Sequence, residues 1–154
     1  MEINAEPVDV DLRLPFCANY LIIGATNVGK TYNVLRMLAD PTKVFKNVPI
    51  DEPDFEIIYL YGAYQDKFIP FENCITFLKG WDHPQLSTEN LLKTRNKFYV
   101  IDDCYSGDSV AGEKIRHMMV TLGHHQHYGI LLLIHHLFSH SIKHLREISL
   151  NAGK

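Results

Sequence analysis

Short apolar runs bounded by polar or turn-forming residues recur along this chain, and stretches of helical periodicity lie between them. Tyr20–Ile23 is the first such run, and it ends at Gly24. Phe55–Tyr61 (FEIIYLY) is longer and nearly all apolar, the pattern of a parallel strand covered on both faces. Cys74–Leu78 reads as a short strand, and Phe98–Ile101 (FYVI) and Ile130–Ile134 read as buried ones. In Lys30–Ala39, Tyr32, Leu35 and Leu38 recur on one side at helical spacing, with Pro41 just beyond the end. Pro84–Thr94 predicts a short helix capped by Ser87 or Thr88. Val110–Leu122 predicts an amphipathic helix with Ala111, Ile115, Met118 and Leu122 along its apolar stripe, and Ser141–Leu150 predicts a last helix. Buried strands alternating with helices imply an α/β sheet joined by right-handed crossovers.

Pro7 and Pro15 break residues 1–17, which read as an irregular lead-in, and 18–154 read as one domain. A chain of 154 residues suits a single domain with a real core, and an apolar share of 46% is that of a globular protein. The net charge of −3 gives no basic footprint for nucleic acid over the whole domain, although contact through a few local residues remains open. Cys17, Cys74 and Cys104 are widely spaced, which points to a reducing compartment without disulfides. The acidic start MEINAEPVDVDLRLPF lacks the apolar core of a signal peptide, and Ile130–Ile134 is too short to span a bilayer. The expectation is a protein that is neither secreted nor membrane-bound.

The chemistry is concentrated where the first apolar run ends. Gly24-Ala25-Thr26-Asn27-Val28-Gly29-Lys30-Thr31 fits the phosphate-binding pattern G-x-x-x-x-G-K-[ST] at every fixed position, between a strand pattern and a helix pattern. Gly24 and Gly29 would let the backbone turn so that successive N–H groups face an anion. The helix start near Lys30 would add its positive dipole end. Lys30 would reach the β- and γ-phosphates of ATP, and the Thr31 hydroxyl would bind Mg²⁺. Tyr32 follows directly and completes the candidate nucleotide-binding segment. The bland alternative is a glycine-rich turn with no ligand, but it would leave a lysine without a partner.

A second acidic centre lies at Asp102-Asp103, where the apolar run FYVI ends. Asp102 would hold Mg²⁺, directly or through water, and Asp103 is placed to orient an attacking water. Solvated acids at an ordinary strand end are the alternative. Two adjacent carboxylates after a buried strand nevertheless call for a counter-charge, and a metal ion is one.

The C-terminal third narrows the choice. Leu122–Ile130 (LGHHQHYGI), then LLLIHHLF, then Leu145–Ala152 (LREISLNA) resembles the viral genome-packaging ATPases of the FtsK–HerA superfamily, of the poxvirus, giant-virus and Polinton type. The resemblance covers most of residues 18–152, and Arg146–Asn151 is, with the phosphate-binding loop, its most specific part. It implies a P-loop NTPase fold: a three-layer sandwich with a mainly parallel central sheet, RecA/ASCE-like. It also implies Mg²⁺-dependent ATP hydrolysis in a homo-oligomeric ring that moves double-stranded DNA, with capsid or portal components as further partners. The setting would be host cytoplasm, nucleus or virion.

Lys30, Thr31, Asp102 and Asp103 match the family pattern. Leu137-Phe138 align the next motif so that His135 stands where the family has a Gln that senses the γ-phosphate, and Gln126 stands where an Arg is frequent. A neutral imidazole can donate one hydrogen bond as an amide does, but its charge varies near pH 7. Arg146 is the candidate arginine finger acting on a neighbouring subunit's γ-phosphate, against the alternative of a surface helix Arg. Family members continue past S-L-N-A into another strand, so the expectation is a domain that lacks its last core strand, with an exposed sheet edge.

Other features carry weaker signals. Eight of the nine histidines lie in 117–144, and His136, His140 and His144 share a helical spacing, yet no Cys or carboxylate completes a zinc set. His124 and His125 match a family motif, or simply make a polar helix end. Tyr59, Tyr61 and Tyr64 read as core and rim, Asp66-Lys67 as a solvated turn, and Lys93, Arg95 and Lys97 as a small basic cluster. Two other functions stay open beside the packaging motor. One is a degenerate protein that binds nucleotide or sibling subunits without turnover. The other is a kinase-like phosphotransferase, which the paired acids and the R-x-I-S-L-N match disfavour.

Overall fold

The computed structural model describes residues 10–102, 109–122, 127–135, 150 and 152. In chain order its elements are β1 (Leu14–Pro15), β2 (Asn19–Ile23), α1 (Lys30–Ala39), α2 (Pro41–Val44), β3 (Phe45–Lys46), β4 (Glu56–Tyr61), β5 (Thr76–Lys79), α3 (Thr88–Lys93), β6 (Lys97–Asp102), α4 (Ser109–Arg116) and β7 (Gly129–Ile134). Two short 3₁₀ helices, Asp66–Phe71 and Pro84–Leu86, and a π-helical turn, His117–Leu122, complete them.

Five strands form one parallel sheet in the order β2-β7-β6-β4-β5. β4, β6 and β7 are apolar because they are covered on both faces, and alternate residues serve opposite faces. Ile57 and Tyr59 of β4, Phe98 and Val100 of β6, and Leu131 and Leu133 of β7 pack with Val34, Leu35 and Leu38 of α1. Ile58 and Leu60, Tyr99 and Ile101, and Ile130 and Leu132 pack with Ala111 and Ile115 of α4 and with Met118 and Met119. Helices therefore lie on both faces of the sheet, consistent with a three-layer sandwich. Burying each large side chain of these clusters contributes about 1.5–3 kcal/mol.

The register sets the functional edge. Ile23 lies beside Ile134, Leu133 beside Asp102, and Asp102 beside Tyr61. The carboxyl ends of β2, β7, β6 and β4 thus lie side by side at one edge of the sheet. That edge is where open parallel sheets hold their ligands. Among the described residues β2 has β7 as its single strand neighbour.

The structure corrects the lead-in. Leu14–Pro15 pairs in parallel with Phe45–Lys46, and Phe16 is 1% exposed within a ring cluster that includes Phe45, Phe55 and Phe98. The two prolines hide this segment from a periodicity reading, but Phe16 anchors it. Gly129 records how closely the segment approaches: a Cβ there would meet the Phe16 carbonyl oxygen at 2.3 Å and the Phe98 ring at 2.6 Å. The predicted helix over 110–122 also changes character, because α4 ends at Arg116 and a π-helical turn follows. Asn19 Nδ2 donates to the Met119 carbonyl at 2.8 Å and so ties that turn to β2. The cap of α3 is Ser87, whose hydroxyl accepts from the Asn90 N–H. Residues 141–149 of the predicted last helix lie outside the described residues. No helix among the described residues is long and apolar enough to cross a membrane.

Candidate functional site

The loop Gly24–Gly29 connects β2 to α1 at the carboxyl edge. Its backbone needs the residues it has. Gly29, the residue before the helix, has φ 83°, and Asn27 has φ 64°, both in the left-handed region that glycine and asparagine tolerate. Gly24 is crowded: a Cβ would lie 3.3 Å from Val28 Cγ2 and 3.4 Å from Lys30 Cδ. The Gly24 N–H donates to the Ile134 carbonyl at 3.2 Å and extends the ladder one residue beyond β2. Helix α1 then starts at Lys30 with no side chain capping its first turn. A helix N-terminus leaves amide donors available to an anion.

Lys30 and Thr31 open that helix and turn toward β6 and β7. The Lys30 ammonium donates to the carbonyls of Gly24 and of Ala25, the latter at 2.7 Å, and stands 3.2 Å from His135 Nδ1. The Thr31 hydroxyl donates to Asp102 Oδ2 at 2.8 Å, across 71 residues of sequence. The Tyr59 hydroxyl donates to the same oxygen at 2.6 Å. Asp102 is only 6% exposed, and its burial is compatible with a carboxylate because charge-assisted donors meet it.

These groups line a cleft of about 290 Å³. Its lining is Thr26, Asn27, Gly29, Lys30 and Thr31 after β2, Asp102 and His135 at the ends of β6 and β7, and Tyr61, Gly62, Ala63, Gln65 and Lys67 after β4. Of the residues expected at the site, the structure thus brings together Thr26, Asn27, Gly29, Lys30, Thr31, Asp102 and His135. Gly24 and Ala25 contribute through their carbonyls to Lys30. Val28 is 59% exposed and Tyr32 50% exposed, and neither lines the cleft; the Arg36 guanidinium lies 5.9 Å from the Tyr32 ring centre. Asp103, Arg146, His124, His125, His136, His140 and His144 lie outside the described residues.

Three participants were not evident from sequence. Tyr59 reads as core, and it is 0% exposed, but its hydroxyl is a direct partner of Asp102. Lys67 belongs to the Asp66-Lys67 pair that reads as a solvated turn, and Gln65 precedes that pair; both Gln65 and Lys67 line the cleft. Their only sequence signal is position after a buried strand; the neighbourhood of β4 and β6 is what makes it count. The basic cluster at 93–97 is partly neutralised, since Lys93 pairs with Glu89 at 2.6 Å and Lys97 with Glu56 at 3.1 Å.

No protein-family model and no curated protein matches the chain.

A hydroxyl and a carboxylate 2.8 Å apart are hard oxygen donors, the kind that Mg²⁺ selects. Among the described residues no group of three or more His, Cys, Asp or Glu could hold a metal alone. Mg²⁺ commonly needs no such cage, because one or two protein oxygens and substrate phosphates suffice. The donor set therefore fits Mg²⁺ held jointly with a phosphorylated ligand.

Proposed function

We propose that this protein binds a Mg²⁺–nucleoside triphosphate, ATP, at the Gly24–Thr31 loop and hydrolyses it, as a subunit of a motor that moves double-stranded DNA into a capsid. One observation carries the nucleotide reading: the Thr31 hydroxyl and the Asp102 carboxylate meet at 2.8 Å beside the Lys30 ammonium. A glycine turn of purely structural purpose has no need to bring these three groups together from two strand ends. The DNA-packaging part rests on the resemblance at Arg146–Asn151 and on the ring it implies.

In this reading the backbone N–H groups of the loop and the start of α1 receive the phosphates. Lys30 exchanges its carbonyl partners for β- and γ-phosphate oxygens and neutralises charge there. Thr31 and Asp102 would hold Mg²⁺, which supplies charge neutralisation of the phosphate oxygens when bound. Tyr59 fixes the orientation of the Asp102 carboxylate, the role that outer hydrogen bonds play around metal ligands. Asp103 is the expected carboxylate to orient water. The water oxygen attacks the γ-phosphorus, the bond to the β,γ-bridging oxygen breaks, and ADP, inorganic phosphate and a proton leave.

A second reading, nucleotide binding without turnover, is favoured by Lys30 itself. Its ammonium is held on two loop carbonyls next to His135, where the resemblance implies a Gln. Steady-state ATPase measurement with and without double-stranded DNA separates the two. DNA-stimulated, Mg²⁺-dependent turnover that Lys30→Ala abolishes supports the motor. Binding with no turnover supports the second reading, and turnover retained in Lys30→Ala contradicts the site.

A further inference from the structure

We propose that Lys67 is a second phosphate-binding cation, facing the terminal phosphate of a triphosphate held by Lys30. This rests on the nucleotide-site reading above and adds a recognition element to it. The chain leaves β4 at Tyr61, the register partner of Asp102. The 62–67 segment therefore rises beside the metal-holding end of the cleft, opposite the Gly24–Gly29 loop. Lys67 lines that cleft together with Lys30 and Asp102.

Its backbone is firmly placed although its side chain is exposed. Phe68, the next residue, is 0% exposed and stacks on Phe77 with ring centres 4.6 Å apart. The Phe68 ring also packs on Tyr59 at 5.5 Å and Tyr61 at 5.4 Å, and the Phe68 N–H donates to the Gln65 carbonyl at 2.9 Å. One aromatic cluster thus anchors both the Asp102 partner Tyr59 and the turn that presents Lys67.

Among the described lining residues of the cleft two lysines face one aspartate, an excess of one positive charge (2 − 1). Lys67 has no hydrogen-bond or ion-pair partner among the described residues, unlike Lys93 and Lys97. A lysine that lines a cleft and pairs with no anion among the described residues matches the point-charge contact that lysine makes to phosphate. Because the segment follows Tyr61, the register partner of Asp102, the contact falls at the Mg²⁺ end of the triphosphate, on the terminal phosphate.

The test is calorimetric titration of the full chain with Mg²⁺ and either ADP or the β,γ-imido analogue of ATP. Lys67→Ala should weaken the analogue about tenfold and ADP less than about twofold, the loss expected of one charge-assisted contact. Lys67→Arg should restore the analogue's affinity. Unchanged analogue binding in Lys67→Ala, or equal losses for both ligands, overturns the assignment while leaving the nucleotide site standing. If the wild type binds neither ligand, or Lys30→Ala binds as tightly as the wild type, the underlying site reading fails, and this one with it.

Discussion

Replacing Tyr59 with Phe removes one oxygen and leaves the buried ring in place against Phe68 and Phe77, at 5.5 Å and 5.4 Å. The substitution removes the 2.6 Å hydrogen bond to Asp102 Oδ2, which among the described residues also accepts from the Thr31 hydroxyl. A hydrogen bond to a charged group contributes about 1.5–3 kcal/mol, and Asp102, at 6% exposure, has little water with which to replace it. The variant should therefore be destabilised by ~2 kcal/mol, about 4–8 °C in Tm for a chain of this size. Urea denaturation followed by the fluorescence of Trp81, the one tryptophan and 5% exposed, reads this directly. The same substitution in an Asp102→Asn background should cost at least ~1 kcal/mol less, because the charge that strengthens the bond is gone. A loss below ~0.5 kcal/mol in the wild-type background, or equal losses in both, would refute the view that Tyr59 holds a buried carboxylate.

Gly129→Ala should destabilise by at least ~2 kcal/mol, because its Cβ would meet a backbone oxygen, Phe16 O at 2.3 Å, that cannot rotate away; an unchanged urea midpoint would contradict that packing. Burial pushes the Tyr99 hydroxyl up to about 12 and raises that of Tyr128 as well, against about 10 in the unfolded chain. The folded state then keeps protons that the unfolded state releases, so this stability is complete below pH about 10 and declines as pH climbs toward about 12. Urea midpoints between those limits should fall with pH, and Tyr99→Phe should flatten the slope. His135→Ala should lower turnover on the order of tenfold while nucleotide affinity changes little, as expected of a group acting on the reacting phosphate; unchanged turnover would remove His135 from the chemistry.

Most of the fold was legible because its strands are covered on both faces and so read as unbroken apolar runs, as in EIIYLY and FYVI. The pattern at Gly24–Thr31 was legible because it has fixed residue types at fixed spacing. Strand order was not. Nothing local to LLLI says that β7 lies between β2 and β6, and that insertion puts His135 beside Lys30. Tyr59 and Lys67 were missed for the same reason, since each acts across a strand boundary that only the sheet defines. Phe16 was hidden differently, as a single anchor between a proline and a cysteine with no periodicity around it.

The joint use of Thr31 and Asp102 is tested most directly by titrating the β,γ-imido analogue of ATP with and without Mg²⁺ into the wild type and into Asp102→Asn. Mg²⁺ should tighten binding to the wild type by at least about tenfold and have little effect on Asp102→Asn, the scale on which metal-holding groups act. Metal-independent binding to the wild type, or the same Mg²⁺ effect in both proteins, would contradict it.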